Sequence, residues 1–365
     1  MFDLQIEFDG HITHVAVRPN LLEQVGSLIR TVLADAPPPL VVVVTDDRVG
    51  RLYGEAVLES LSLARLASHE YRLEAGEASK NLDVVGDVYR TLTDREVSRD
   101  AVVLALGGGV VSDLAGFVAA TWMRGVRFIV CPTTLEADID ASVGGKTAIN
   151  IPGGKNLVGA FHQPVLVAVD PGCLRSLDAR DVRAGMAESV KHALIRSPDF
   201  LDWHESKAGA ILALDRAVMT ELILRNLRIK ADIVARDARE QRDVRVMLNL
   251  GHTIGHAIEE CCGYSLRHGE CVSLGLLAAC RLSLAMGLLD ELSVIRVEKL
   301  LTRFGLPTRL AERIDADAIV ATIRKDKKVR WQAVRFVLLE GVGRPVIRSD
   351  VAEVLVRRAY ESLLA

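Results

Sequence analysis

Two unbroken apolar runs constrain this chain more than any other feature. Residues 40–44 read Leu-Val-Val-Val-Val and end at Thr45-Asp46; residues 101–106 read Ala-Val-Val-Leu-Ala-Leu and run directly into Gly107-Gly108-Gly109. A strand exposed on one face alternates apolar and polar residues, whereas a strand covered on both faces is apolar throughout. Both runs therefore belong to a parallel sheet covered by helices on each side. Between and after them lie helical spacings over residues 53–66 and 81–92, a short strand at 71–73 stopped by Gly76, and a strand at 127–130 before Pro132-Thr133-Thr134. Alternating β and α elements predict an α/β domain. From about Asp178 the period changes: residues 179–195, 211–236, 247–260, 271–288, 292–303 and 350–363 all carry helical spacing. Asp350 and Glu353 are spaced as a capping box for the last of these. Asp170-Pro171-Gly172 marks the pause between the two patterns, so an α/β domain over residues 1–175 and an all-α domain over 176–365 are expected. A chain of 365 residues accommodates two domains at roughly 150 residues each.

Composition removes several classes of function. Hydrophobic residues make up 50% and charged residues 25%, with a net charge of -3, which excludes a disordered chain. No excess of Lys or Arg is available to neutralise a nucleic-acid backbone, and 4% aromatic residues leave little to stack bases on, so no nucleic-acid partner is expected. The N-terminus has no cationic start before an apolar core, and no signal peptide is expected. Residues 271–289 are apolar except for Arg281 and small polar side chains, nearly enough to cross a bilayer. They follow Arg267, His268, Gly269 and Glu270 directly, and a buried core helix without membrane contact is expected. Six cysteines with no CxxC pair indicate reduced thiols and a cytoplasmic location.

Three segments can carry chemistry. Gly107-Gly108-Gly109-Val110-Val111-Ser112-Asp113 ends a buried strand and opens a helix, where glycines admit a phosphate and the helix N-terminus offers free N–H groups. It is not the G-x-G-x-x-G fingerprint, and a tight turn without a ligand would look the same. Thr133-Thr134, ending the next strand, could serve the same ligand. Asp140 through Lys146, then Gly153-Gly154-Lys155-Asn156, set two lysines beside glycine pairs, as an anion site or a glycine-rich hairpin would. The third segment runs from Asn249 to Glu259. His252 and His256 are one helical turn apart and share a face, His268 follows, and Glu188 and Lys191 share a face of an upstream helix. A glutamate and two histidines with an open fourth position make a common catalytic zinc set. The H-x-x-x-H spacing lacks the glutamate of H-E-x-x-H, which disfavours a zinc protease.

Taken together these stretches resemble the 3-dehydroquinate synthases, within the sugar-phosphate cyclase family. The matching segments are GEASKN from Gly76, GGGVVSDLAGFVAATWMRGV from Gly107, PTTLEADIDASVGGKTAIN from Pro132, GGKNLVGAFHQP from Gly153, AGMAESVKHALI from Ala184, RVMLNLGHTIGHAIE from Arg245, HGE from His268 and DKK from Asp326. The resemblance implies an N-terminal α/β domain with a Rossmann-like parallel sheet that binds NAD, a helical C-terminal domain, and an active site between them. It implies conversion of 3-deoxy-D-arabino-heptulosonate 7-phosphate to 3-dehydroquinate and phosphate in the shikimate pathway, with NAD recycled and one divalent metal, zinc or cobalt. The implied metal ligands are Glu188, His252 and His268. NAD would meet Asp46, Ala75, Gly76, Glu77, Ala78, Ser79, Lys80, Gly108, Gly109, Val110, Val111, Ser112, Asp113, Thr133, Thr134, Lys146, Lys155, Cys173, Leu174, Arg175, Ser176 and Leu177. The sugar-phosphate substrate would meet Asp140, Lys146, Lys155, Asn156, Lys191, Lys230, Arg245, Asn249, His256 and one lysine of the Asp326-Lys327-Lys328 run, for which Lys327 is taken. Arg124 would reach the phosphate of a neighbouring subunit, which implies a homodimer.

The chain departs from the family pattern in three places. Glu136 and Asp138 stand in a segment that usually reads Leu-Leu-Ala-Gln-Val-Asp, Leu177-Asp178-Ala179-Arg180-Asp181 replaces Leu-Pro-x-Arg-Glu, and Gln241-Arg242-Asp243-Val244 carries an apparent one-residue insertion before Arg245. Cyclases acting on sedoheptulose 7-phosphate are one alternative, and they tend to lose the groups that face a substrate carboxylate. Metal-dependent polyol dehydrogenases are another; they need no lysines or arginine around a phosphate.

Overall fold

The computed structural model describes residues 2–8, 10–325 and 334–364. They form two compact units, Met1–Leu177 with Met219–Arg239, and Asp178–Val218 with Glu240–Ala365.

In the first unit the chain runs through β1 (Leu4–Phe8), β2 (His11–Val17), α1 (Val25–Val32), β3 (Val41–Asp46), α2 (Asp47–Val49), α3 (Glu55–Leu63), β4 (Ser68–Leu73), α4 (Leu82–Asp94), β5 (Val102–Gly107), α5 (Gly109–Thr121), β6 (Arg127–Pro132), β7 (Lys146–Ile151), β8 (Gly154–Phe161) and β9 (Leu166–Val169). Among the described residues, seven strands pair in the order β1-β2-β9-β6-β5-β3-β4. Every neighbour is parallel except β1 with β2.

The two apolar runs have the cause expected of them. Val41, Val43, Val102, Leu104 and Leu106 enter one core beneath α1 and α3. Val42, Val44, Val103 and Ala105 enter a second core beneath α4 and α5. Side chains alternate across a strand, so with a core on each face every position from Val41 to Val44 and from Val102 to Leu106 is apolar. Registers Thr45↔Leu106 and Gly107↔Pro132 bring the carboxyl ends of β3, β5 and β6 to one edge. That edge of an open parallel sheet is where ligands enter. Residues 53–66, expected as one helix, are entered earlier through α2 and a π-helical turn, Gly50–Gly54.

The second unit contains α6 (Ala179–Arg196) and α7 (Pro198–Leu212). Next comes α8 (Arg216–Arg236), which from Met219 onward belongs to the first unit. The sequence reading places all of it in the helical domain. Within the first unit the Lys230 ammonium pairs with Asp140. The helix expected over 211–236 starts at Arg216 as α8, with residues 211–212 ending α7 and Leu214 between them in a left-handed conformation. The second unit continues with α9 (His252–Cys261), α10 (His268–Ala285), α11 (Glu291–Arg303), α12 (Ala316–Lys325), β10 (Phe336–Leu339), β11 (Pro345–Arg348) and α13 (Glu353–Glu361).

The antiparallel β10–β11 pair corrects the all-α expectation. The capping box at Asp350 does not form either. Its carboxylate accepts from Arg348 Nε at 2.7 Å, and Ala352 occupies the N-cap of α13. The apolar segment of residues 271–289 lies largely in α10, which is buried along most of its length. No helix among the described residues is long and apolar enough to cross a membrane.

Candidate metal centre and cofactor site

In the second unit, α6, α9 and α10 bring four predicted residues to one point. Glu188 Oε1 lies 3.4 Å from His252 Nε2 and 3.5 Å from His268 Nε2. His256 joins them, with one ring nitrogen from each of His252, His256 and His268 lying within 4.8 Å of the others. Glycine makes this convergence possible. A Cβ on Gly269 would sit 1.9 Å from the Ala184 carbonyl oxygen, so α10 meets α6 backbone to backbone just after His268. Nearly two turns of α10 further on, a Cβ on Gly275 would sit 1.9 Å from the Gly251 carbonyl oxygen and hold α10 off the start of α9. Gly269→Ala is expected to cost on the order of 3 kcal/mol in stability, at the upper end for overpacking, and to weaken metal binding by separating His268 from Glu188. A shift in the denaturant midpoint and a metal titration check both effects.

The donor set fits a divalent cation. His252 Nδ1 lies 3.1 Å from the Leu250 carbonyl and His268 Nδ1 lies 3.0 Å from Glu259 Oε2. A carbonyl and a carboxylate only accept, so each Nδ1 carries a proton, and each ring turns its other nitrogen, Nε2, toward Glu188. With a divalent cation bound, Nε2 of each ring would offer it a lone pair beside the carboxylate. Tetrahedral zinc with bonds of about 2.1 Å separates its ligand atoms by about 3.4 Å, which the two distances to Glu188 match. Burial by itself would raise the Glu188 carboxyl. The Lys191 ammonium, in direct contact with Oε2, and then the His252 ring outweigh that and hold it well below the usual carboxylate range.

The first unit holds the positions expected to meet NAD. Gly108 is the N-cap of α5, and no side chain caps that helix, which leaves its first amides directed at the sheet edge. A Cβ on Gly108 would meet Thr134 Cγ2 at 2.9 Å, while one on Gly109 would meet nothing nearer than 3.9 Å. Buried beside this helix end, Ser112 Oγ and Thr133 Oγ1 have no hydrogen-bond partner among the described residues. Uncapped amides, orphaned hydroxyls and a glycine-lined approach fit a dinucleotide phosphate. Asp46 ends β3 and caps α2, accepting from Arg48 N at 2.9 Å and Val49 N at 2.7 Å.

The 75–80 segment is knitted to β7 and β8. Ala75 N donates to Asp47 at 3.0 Å, Asn150 Nδ2 to Glu77 at 2.8 Å, and Asn156 N to Asn150 at 3.0 Å. Lys80 Nζ, 3% exposed as a residue, donates to Asp113 at 2.5 Å and to Asn156 Oδ1 at 2.6 Å. Asn150 joins Glu77 to Asn156 and was not among the predicted residues. Its only signal in the sequence is that it ends the run beginning at Pro132.

The remaining predicted residues are distributed as follows. Lys230 Nζ lies 2.5 Å from Asp140 Oδ1 and also donates to the Asp140 carbonyl. Residues 173–177 follow Asp170 in a 3-10 turn, with Tyr53 donating to Ser176 Oγ at 2.7 Å. Lys146 is exposed and Lys155 half-buried on the β7–β8 hairpin. Arg245, buried, and Asn249 bound a 3-10 turn ahead of α9. Arg124 is exposed, and it and Met123 both hold left-handed backbone, at φ 64 and 49. Lys327 lies outside the described residues. In the inserted loop, Asp243 pairs with Arg335 at 2.9 Å. Glu136 is half-buried, whereas Asp138 is fully buried, and neither of its carboxyl oxygens has a hydrogen-bond partner among the described residues.

Comparison with known proteins agrees with this geometry. Residues 70–184 match the 3-dehydroquinate synthase N-terminal family and residues 185–329 the 3-dehydroquinate synthase C-terminal family. The chain is 43% identical over 350 residues to the 3-dehydroquinate synthase of Symbiobacterium thermophilum, covering 96% of this chain and 97% of that one. Among solved structures, 2-deoxy-scyllo-inosose synthase complexed with carbaglucose-6-phosphate, NAD+ and Co2+ superposes with a TM-score of 0.90 at 27% identity, covering 99% of this chain and 100% of that one. A 2-epi-5-epi-valiolone synthase from Streptomyces hygroscopicus, with NAD+ and Zn2+ bound, gives 0.87 at 28% identity, covering 99% and 97%. With both halves matched in order and a relative of that identity covered almost end to end, this chain belongs to the 3-dehydroquinate synthase family of carbocycle-forming enzymes.

Proposed function

We propose that the chain converts 3-deoxy-D-arabino-heptulosonate 7-phosphate to 3-dehydroquinate and phosphate, by oxidation, phosphate elimination, reduction, ring opening and intramolecular aldol closure. The observation that carries this reading is Glu188 set 3.4 and 3.5 Å from Nε2 of His252 and Nε2 of His268, in a chain whose other unit offers uncapped amides for a dinucleotide. When bound, NAD would take and return a hydride, and a divalent metal held by Glu188, His252 and His268 would polarise the substrate's oxygens.

The chain's own residues supply the rest. A phosphate that leaves by elimination carries its charge away, and positively charged groups stabilise that charge best where they are already fixed. Lys191 is fixed by Glu188, and Lys230 by Asp140. Lys80, locked between Asp113 and Asn156, holds Asn156 on the hairpin that also carries Lys146 and Lys155. Arg245 offers a planar fork for a carboxylate or phosphate, with Asn249 and His256 as neutral hydrogen-bonding groups. Support for a homodimer comes from the exposed Arg124, whose left-handed backbone is sterically costly outside glycine. Free cysteines at 131, 173, 261, 262, 271 and 280 support a reducing, cytoplasmic location. Burial pushes the Cys131 thiol up to about 12, so it stays protonated and unreactive.

Phosphate release from the heptulosonate phosphate, with zinc and a trace of NAD, tests the reading. Many turnovers per NAD, abolished by a chelator, are the expected result. Turnover of sedoheptulose 7-phosphate instead would transfer the chain to another cyclase activity, and stoichiometric consumption of NAD would make it a dehydrogenase.

A further inference from the structure

We infer that Glu259 is a positioning residue for the metal centre, fixing His268 and strengthening it as a ligand. The inference rests on the reading of Glu188, His252 and His268 as the ligand set. Glu259 lies on the same face of α9 as His252 and His256, at positions i, i+4 and i+7. Its Oε2 lies 3.0 Å from His268 Nδ1, the ring nitrogen opposite the one that faces Glu188. Glu259 therefore stands behind the histidine and outside the ligand set. It fixes which nitrogen carries the proton and which way the ring points.

His268 needs this more than His252 does. It is the first residue of α10, where the helix's positive end withdraws charge from the ring. His252 has a neutral backbone carbonyl at the same position. The other nearby acid is already committed elsewhere: Glu270 accepts from Arg180 Nε at 2.6 Å and Nη2 at 2.7 Å, and from Arg267 N at 2.9 Å. A carboxylate behind a metal-bound imidazole raises its basicity, and losing such a partner lowers metal affinity by about 10- to 100-fold.

Zinc affinity, measured by competition with a chromophoric chelator, is compared in the wild-type chain, Glu259→Gln and Glu259→Ala without substrate. Glutamine can still accept from Nδ1 but brings no charge, so affinity should fall in the order wild type, glutamine, alanine. The alanine variant should lose about 10- to 100-fold, and its turnover deficit should shrink as zinc is raised. The metal-free proteins should melt together, since the partnership acts on the ion. Equal zinc affinity in all three would overturn the inference and leave the ligand set standing. Failure of the wild type to bind zinc would overturn the ligand set itself.

Discussion

His252→Ala is expected to strip the divalent metal and lower kcat/KM by on the order of 10^3-fold, the rate equivalent of the several kcal/mol a bound cation supplies. The size follows from where His252 stands. Its Nε2 is 3.4 Å from Glu188, its Nδ1 is held by the Leu250 carbonyl, and it opens α9 immediately after Gly251, whose left-handed backbone at φ 80 turns the chain into the helix. Alanine keeps that helix start, so the loss should be specific to the ion. Metal content of the purified variant should fall well below one equivalent, while NAD binding, proposed to draw on residues of the other unit, should persist. Retained metal with lost turnover would assign His252 to the substrate. Loss of NAD binding together with metal would mean the variant is misfolded, and Glu188→Gln would then carry the comparison.

Much of this was legible because the fold writes its own constraints into the sequence. A core on each face of the sheet forces runs such as residues 40–44, and the glycines at 107–109 follow from a strand that must turn sharply into α5. The elements that escaped notice carry that mark weakly or only briefly, as in β9, whose buried apolar run Leu166–Val169 is four residues long. β1 and β2 lie at the sheet edge and mix exposed with buried positions, and β10 and β11 are four residues each. Helical period over 247–260 gave no sign that Gly251 breaks it, because apolar spacing reports which face is buried and is silent about backbone handedness. The cluster of Glu188, His252, His256 and His268 was legible from residue type and spacing, and the choice of three proposed ligands among them came from the family resemblance. Glu259 was not assigned a role because its partner, His268, is on another helix and only the tertiary structure shows which nitrogen it meets. Lys230 was expected at the substrate, yet its tie to Asp140 within the first unit is a long-range pairing that no local pattern announces.

Asp138→Asn is expected to stabilise the protein at neutral pH and to flatten the dependence of its stability on pH. Asp138 is 0% exposed, and neither of its carboxyl oxygens finds a partner among the described residues. Burial, followed by the Asp170 carboxylate, pushes its carboxyl well above the ordinary value of 3.8. Asp170 accepts from Leu21 N at 2.8 Å and Gly172 N at 2.8 Å. The folded chain thus keeps a proton that the unfolded chain releases. As pH rises past the unfolded value, unfolding is increasingly favoured, by about 1.4 kcal/mol per pH unit, until the folded group also ionises. Asparagine titrates in neither state and occupies nearly the same volume, so the variant should match the wild type near pH 4. By pH 7 the variant should be the more stable of the two, by a margin that grows with pH between the unfolded and folded values. The family pattern has glutamine at this position, neutral at every pH, and nothing in the structure explains the acid. Denaturant midpoints of both proteins from pH 4 to 8 decide the matter. Curves that stay parallel would show that Asp138 is already ionised in the folded chain, with a partner supplied from elsewhere, and that the aspartate carries no pH penalty.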